Sequence, residues 1–383
     1  MKTVKLKRGK ESLLQRRHPW IFSGALAHQE EKPENGAVVR VLDFKDRFLA
    51  TGHYYNSSIA IRILRFDEGM IDLSFFIEKI KKALELRKTL GLVENEACQV
   101  YRLINAEGDG LPGLVADRYK GVVVISTSSA GMKLQEDIIV RALKEVMGDS
   151  LKAIYSRDEE KKGKYLFGKA SAPHPVKEYG HSFLVDWEGG QKTGFFIDQR
   201  ENRKKASDYA RGRKVLNAFS YTGGFSVYAL HGGAEWVDSV DSSGPAIELA
   251  VKNAALNDLS EKHRGIEADV FDFLKNHKNE YDMMVVDPPA FARSISRRHN
   301  AVIGYKRLNA LAMSSIRAGG ILFTFSCSQV VDTRLFEDTV RAAAIESGRN
   351  IQILERLSQP ADHPVSIFHP EGNYLKGLIL KVD

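Results

Sequence analysis

The sequence predicts an α/β protein: a Rossmann-like sheet at the C-terminus, preceded by a small β-rich barrel and an α+β middle domain. Three observations carry this. From Arg213 onward, apolar strand-like runs alternate with helical stretches, the mark of a largely parallel, doubly wound sheet. Before residue 70 the apolar runs are short and separated by turn residues, and "IAIRIL" alternates with period two. Between about Ile71 and Glu188, two amphipathic helical stretches accompany further strand-like runs. The expected domains are 1–70, 71–188 and 189–383.

At 383 residues the chain is long enough for two or three cores. No apolar run approaches the length of a transmembrane helix, so no membrane association is expected. The start, "MKTVKLKRGK", has no apolar segment behind its charges and does not read as a secretory signal. Two distant cysteines, Cys98 and Cys327, suit a reducing compartment, and a cytoplasmic location is expected. The formal charge of +7 favours a polyanionic partner.

In the first segment, seven Lys or Arg residues and one Glu precede His18. "RRHPWIFSGAL" then mixes Arg16, Arg17 and His18 with Trp20 and Phe22. Cations that meet phosphates, interleaved with rings that stack on unpaired bases, suit RNA. "GAVVRVLD", "FLATGHYY" and "IAIRILRF" are the strands of a small barrel. In the middle segment, "DLSFFIEKIKKALELRKTLGL" and "KLQEDIIVRALKEVM" read as helices, and "GVVVIST", "AIYSRD" and "HSFLVDW" as strands. Cys98 lies here alone and reads as a buried structural cysteine.

The last segment supplies the chemistry. "KVLNAF" is a strand, and "GGFSVYAL" opens a helix after it. "AEWVDSV" ends at Asp241, a short strand leads to Asp269, "YDMMVV" runs to Asp287, and "GGILFTFS" runs to Cys327. In such sheets ligands bind outside the carboxyl ends of the strands. Gly223 and Gly224 let the backbone turn tightly against a ligand before free helix N–H groups. The stretch lacks G-x-G-x-x-G and a P-loop lysine, which excludes a dinucleotide fingerprint and a triphosphate site. Asp241 stands where an acidic residue accepts from ribose hydroxyls, and Asp269 where one could accept from an adenine amino group. Either could equally cap a helix. In "VVDPPAF", Pro288 and Pro289 fix the backbone after Asp287, and Phe291 completes a rigid turn that can hold a heteroaromatic ring.

"LNAFSYTGGFS", "DPPAF", "FTFSCS", "GFFIDQREN", "GDGLPGLVADRY" and "ADHPV…PEGNYLKG" together resemble a class I S-adenosylmethionine-dependent methyltransferase. The resemblance is closer still to the large-subunit (23S) ribosomal RNA cytosine-C5 methyltransferases with an N-terminal PUA domain. It spans about Glu107 to Lys376, and the basic β-rich start fits a PUA-like module. It implies S-adenosylmethionine as cofactor, with no metal, and ribosomal RNA as partner. A homodimer is left open. It also implies that Phe219, Tyr221, Thr222, Gly223, Gly224, Asp241, Asp269, Asp287, Phe196, Gln199 and Arg200 surround the cofactor. Cys327 and Asp287 become the catalytic pair. Other RNA cytosine-C5 enzymes carry a cysteine directly after the proline of the Asp-Pro motif; here that place is Pro289, so Cys327 is the available thiol.

Cytosine C5 is a poor nucleophile. A thiolate adding at C6 makes it reactive, whereas a base nitrogen needs no such help. A nitrogen-directed RNA methyltransferase with Cys327 merely packed is therefore the alternative. No histidine or second cysteine lies near Cys327 at zinc-site spacing. "FARSISRRHNAVIGYKR" carries Arg293, Arg297, Arg298, Lys306 and Arg307 and reads as a basic loop for RNA phosphates. Arg297, Arg298, Pro288, Pro289 and Phe291, with Arg16 and Arg17, are the expected RNA contacts.

Overall fold

The computed structural model describes residues 1–157, 163–292 and 294–383. They form two compact units. One comprises Met1–His174, Val185–Gly194 and Ala361–Gly372; the other comprises Pro175–Leu184, Phe195–Pro360 and Asn373–Asp383.

The first unit contains two five-stranded sheets. The N-terminal sheet runs in the order Lys2–Lys5, Val38–Leu42, Phe48–Tyr54, Ile59–Arg65, Trp20–Phe22. Period-two alternation buries Val39 and Val41 from one strand and Ile61 and Ile63 from another in a common core with Val4 and Ile21. The second sheet runs Gly163–Gly168, Ala153–Arg157, Val122–Thr127, Leu114–Tyr119, Val100–Asn105. The helices Leu73–Thr89 and Glu136–Met147 pack together in this unit. Asp72 caps the first by accepting the Phe75 N–H. Arg87, fully buried, donates to both carboxylate oxygens of Asp109 at 2.6 and 2.8 Å, and to the Arg102 and Asp362 carbonyls. Asp362 in turn accepts the Arg102 N–H at 2.9 Å. The "GDGLPG" and "ADHPV" stretches are thus joined through one guanidinium. An unpaired buried charge there would be costly.

The second unit is built on a seven-stranded sheet, numbered here from its first strand: β1 Lys214–Ala218, β2 Trp236–Asp241, β3 His263–Glu267, β4 Met283–Val286, β5 Gly320–Ser326, β6 Ile351–Ser358 and β7 Lys376–Val382. The order is β3-β2-β1-β4-β5-β7-β6. The first five strands are parallel; β7 is antiparallel to β5, and β6 to β7, which closes the sheet with a reversed edge. The helices are α1 Arg200–Tyr209, α2 Gly224–His231, α3 Gly244–Ala255, α4 Val270–Asn276, α5 Arg298–Ser315 and α6 Thr333–Ser347. Strand alternation splits the core in two. Val215, Val285 and Phe323 pack with α1 and α2, while Leu216, Met284 and Leu322 pack with α4, α5 and α6. "HSFLVDW" forms His181–Val185, which pairs with His174–Glu178 in a hairpin separate from the middle sheet.

One expectation changes. The basic stretch read as a loop is helical from Arg298 onward, because α5 starts there and its apolar positions reach the core. Among the described residues no helix is long and apolar enough to cross a membrane.

Candidate active site

The carboxyl ends of β2, β1, β4 and β5 lie side by side. Ala218 pairs in register with Val240 and with Val286, and Val286 with Thr324. Asp241, Phe219, Asp287 and Cys327 therefore leave four neighbouring strands at the same edge.

After β1 the backbone turns through three left-handed residues: Phe219 (φ 58°), Tyr221 (φ 46°) and Gly223 (φ 76°). Two of these are not glycine, a conformation that persists only where surroundings hold it. The holding bonds are visible. Tyr221 N–H donates to Asp241 Oδ2 at 2.9 Å, Ser220 N–H to the Val240 carbonyl at 3.0 Å, and Asn253 Nδ2 to the Thr222 carbonyl at 2.9 Å. A Cβ on Gly223 would meet Ala250 Cβ at 2.9 Å, and one on Gly224 would meet Arg203 Cδ at 2.9 Å. The buried hydroxyls of Ser220 and Thr222 find no hydrogen-bond partner among the described residues. Orphaned buried hydroxyls in a strained turn at a strand end fit a ligand that supplies their partners. Asp241 also accepts the Ser243 N–H at 3.0 Å through its other oxygen, so it ties the turn to the start of α3. Asp269 caps α4, accepting the Asp272 N–H at 3.0 Å, which is the capping possibility realised.

The segment before α1 supplies the other wall. Gln199, buried, donates from Nε2 to Asp287 Oδ2 at 3.0 Å. Asn202 Nδ2 donates to Gln199 Oε1 at 2.6 Å, which fixes the amide's orientation. Phe196 stands edge-on to Tyr221, with ring centroids 5.1 Å apart. Arg203 holds this segment. It donates to both oxygens of Glu178 at 2.8 Å and to the Phe196 carbonyl at 2.9 Å. Arg200 is buried, bonds Glu201 at 3.2 Å and lies over the Tyr179 ring.

Cys327 follows β5 and is half-buried. Ser328 Oγ donates to the Ala292 carbonyl at 2.7 Å and so ties this turn to the Asp-Pro-Pro loop. Within that loop Pro288 is buried, Pro289 exposed, and Phe291 packs against Tyr305 at 4.7 Å. Three residues here were not singled out from the sequence: Asn202, Tyr305 and Lys376. Tyr305 is fully buried, and burial raises its hydroxyl pKa. Lys376 opens β7, in register with Ser326, and is buried. Its Nζ donates to the Ser328 and Tyr374 carbonyls, both at 2.7 Å. Burial pushes its pKa down to about 8, against the opposing pull of Cys327 and Asp332. A lone lysine at the head of the apolar run "GLILKV" was the available signal for it.

The expected RNA contacts fall in two places. Arg298 lines a cleft of about 490 Å³ with His299, Val302, Asp332, Arg334, Leu335 and Asp338. Arg297, just before α5, is exposed; Lys306 instead pairs with Glu346 at 2.8 Å, and Arg307 lies over Phe271. Arg293 lies outside the described residues. Arg16 and Arg17 are exposed in the other unit, Arg17 over the rings of Phe66 and Phe368. That unit also brings His18, His369 and Glu371 within 4.8 Å of one another. His18 Nδ1 lies 3.1 Å from the Trp20 backbone nitrogen and 3.3 Å from its carbonyl, and Nε2 lies 3.4 Å from Glu371.

Comparison with known proteins agrees with this architecture. Residues 4–66 match the PUA-like domain, and residues 141–380 match the S-adenosylmethionine-dependent methyltransferase family. The chain is 41% identical over 396 residues to ribosomal RNA large subunit methyltransferase I of Aeromonas hydrophila, covering 99% of each. It is 40% identical to the protein of the same name from Klebsiella pneumoniae strain 342, covering 98% of this chain and 97% of the relative. The crystal structure of SMU.776, assigned as a methyltransferase and complexed with SAH, superposes with a TM-score of 0.89 at 25% identity over 100% of both chains. The chain belongs to the S-adenosylmethionine-dependent methyltransferase family, with an N-terminal PUA-like domain, in the group that contains the ribosomal RNA large subunit methyltransferases I.

Proposed function

We propose that the chain methylates C5 of a cytosine in large-subunit ribosomal RNA through a covalent bond between Cys327 and C6. The observation that carries this reading is a half-buried cysteine at the end of β5, beside Asp287 at the end of β4, with their loops joined by Ser328 and Ala292. The names of the relatives support ribosomal RNA as the substrate.

The strained turn Phe219–Gly224, with Tyr221, Thr222 and Gly223 at its centre, holds the cofactor together with Asp241, Asp269, Phe196, Gln199 and Arg200. S-adenosylmethionine, when bound, supplies an electrophilic methyl group. The chain's own work is on the base. The Cys327 thiolate forms a bond to C6, and the C5–C6 π pair becomes available at C5. Asp287, aimed by Gln199, faces the N3 and amino edge and shares a proton there as charge enters the ring. Once C5 carries the methyl group, its proton leaves to a water. The C–H pair re-forms the double bond and Sγ departs as thiolate. Pro288, Pro289 and Phe291 hold the ring's plane, while Arg297, Arg298, Arg16 and Arg17 take phosphates.

RNA with 5-fluorocytosine at the target tests this, because fluorine cannot leave as a proton does. A denaturing gel should show a shifted band that requires S-adenosylmethionine and is lost in Cys327→Ala. A fully active Cys327→Ala enzyme would transfer the assignment to a base nitrogen, and nucleoside mass spectrometry would then show an N-methylated base in place of 5-methylcytidine.

A further inference from the structure

We propose that Lys376 is the positioning residue that shares one proton with Cys327, keeps it on Nζ, and thereby holds Sγ as a thiolate. The proposal rests on the reading of Cys327 as nucleophile.

Lys376 brackets the cysteine from both sides. Its backbone pairs with Ser326, the residue before Cys327, and its Nζ bonds the carbonyl of Ser328, the residue after it, at 2.7 Å. The second bond, to the Tyr374 carbonyl at 2.7 Å, anchors the amine to its own strand, and Tyr374 is itself fixed by a 2.8 Å bond from its hydroxyl to Asp198.

The hydrogen count suits proton sharing. A neutral lysine amine has two N–H donors and one lone pair. The two carbonyls take both donors, and the lone pair remains. When the thiol S–H breaks, its proton goes to that lone pair, sulfur keeps the electron pair, and the ammonium gains a third N–H. Neither carbonyl can neutralise an ammonium, so a thiolate is the favourable companion for this charge in a water-poor site. Burial presses the proton off Lys376, and Cys327 is the leading charge that draws it back. Among the described residues, the further ionisable groups named around this turn are acids: Asp332 acts on Lys376, and Asp287 from the end of β4 acts, with Cys327, on Tyr305 from α5. They oppose a thiolate rather than create one.

Cys98 gives the experiment an internal control, since it is fully buried and its alkylation reports unfolding. The full chain is treated with iodoacetamide over a range of pH, and modification of each cysteine is read by peptide mass spectrometry. The expected wild-type midpoint for Cys327 lies below the ordinary thiol value of about 8.5. Lys376→Met should raise it, slowing alkylation about tenfold at neutral pH for each unit of midpoint, while Lys376→Arg, which keeps the charge, should restore the low midpoint. An unchanged midpoint in Lys376→Met with Cys98 still protected overturns the proposal. So does a wild-type midpoint at or above the ordinary thiol value, even if Lys376→Met fails to fold. The two readings fail separately. Full activity of Cys327→Ala removes the nucleophile and leaves the midpoints untouched, whereas unchanged midpoints with Cys327-dependent activity remove only Lys376.

Discussion

Asp241 does two jobs with one carboxylate. Its oxygens accept the Tyr221 and Ser243 N–H groups and so shape the turn proposed to receive the cofactor, where the carboxylate is also proposed to meet the ribose. Asp241→Ala should weaken S-adenosylmethionine binding by about 1.5–3 kcal/mol, the worth of charge-assisted hydrogen bonds. Asp241→Asn, which still accepts through one oxygen, should lose less. Calorimetry showing unchanged affinity in a folded Asp241→Ala would remove the residue from the site. Lys376 makes a pH prediction. Its pKa is about 8 in the fold against 10.5 for the unperturbed side chain. Below about 8 both states are protonated and the full cost of burying the charge is present. Between about 8 and 10.5 the unfolded chain binds more proton, so stability rises with pH. The gain is on the order of 3 kcal/mol. Urea denaturation should show this rise in the wild type and its loss in Lys376→Met; a parallel rise in both would assign it to another group. Asp241, Asp287 and Cys327 were legible because strand ends can be counted along the sequence. Lys376 was not, because its place beside Cys327 depends on an antiparallel pairing between residues 326 and 376.

At the scale of elements, the site depends on where strands stop and on what the next turn tolerates. The alternating strands and helices after Arg213 were legible because burial on both faces demands continuous apolar runs. The reversed β7–β6 edge was less so, since an apolar run does not declare its direction. The basic stretch was misread over the first turns of α5, residues 298–304, where packing of Ala301 against the core overrides a polar start. Asp269 shows the limit of residue type: one Asp at a strand end is a cap as readily as a ligand, and here it does cap α4. The turn after β1 is more exacting. Gly223 is left-handed and packs on Ala250, so Gly223→Ala should cost about 1–3 kcal/mol in stability. It should also weaken cofactor binding more than its stability loss alone explains, because the Ser220 and Thr222 hydroxyls sit in the same turn. Paired denaturation and calorimetry would separate the effects; wild-type affinity in a destabilised but folded Gly223→Ala would detach the turn from the cofactor.

At the scale of the whole molecule, the chain passes between its two compact units several times. Segments 185–194 and 361–372 belong with the N-terminal residues, and 175–184 with the methyltransferase sheet. Such exchanges leave no mark in composition: the segment 361–372 joins its unit through the long-range bonds of Asp362 to Arg87 and Arg102. Charge, by contrast, is legible directly, and the excess of +7 is spread over both units. Arg16 and Arg17 are exposed in one, Arg297 and Arg298 in the other, while Lys306 is already paired with Glu346. If the exposed pairs neutralise phosphates, RNA affinity must fall steeply with salt through counterion release. The expected signature is specific. Arg16→Ala with Arg17→Ala, and separately Arg297→Ala with Arg298→Ala, should each flatten the log–log salt dependence by about 1–2, whereas Lys306→Ala should leave it unchanged. Binding titrations of the full chain at several salt concentrations would read this. A salt slope equal to wild type in either double variant would strike that unit's arginines from the RNA surface, and a flattened slope in Lys306→Ala would show that its pairing with Glu346 gives way to phosphate.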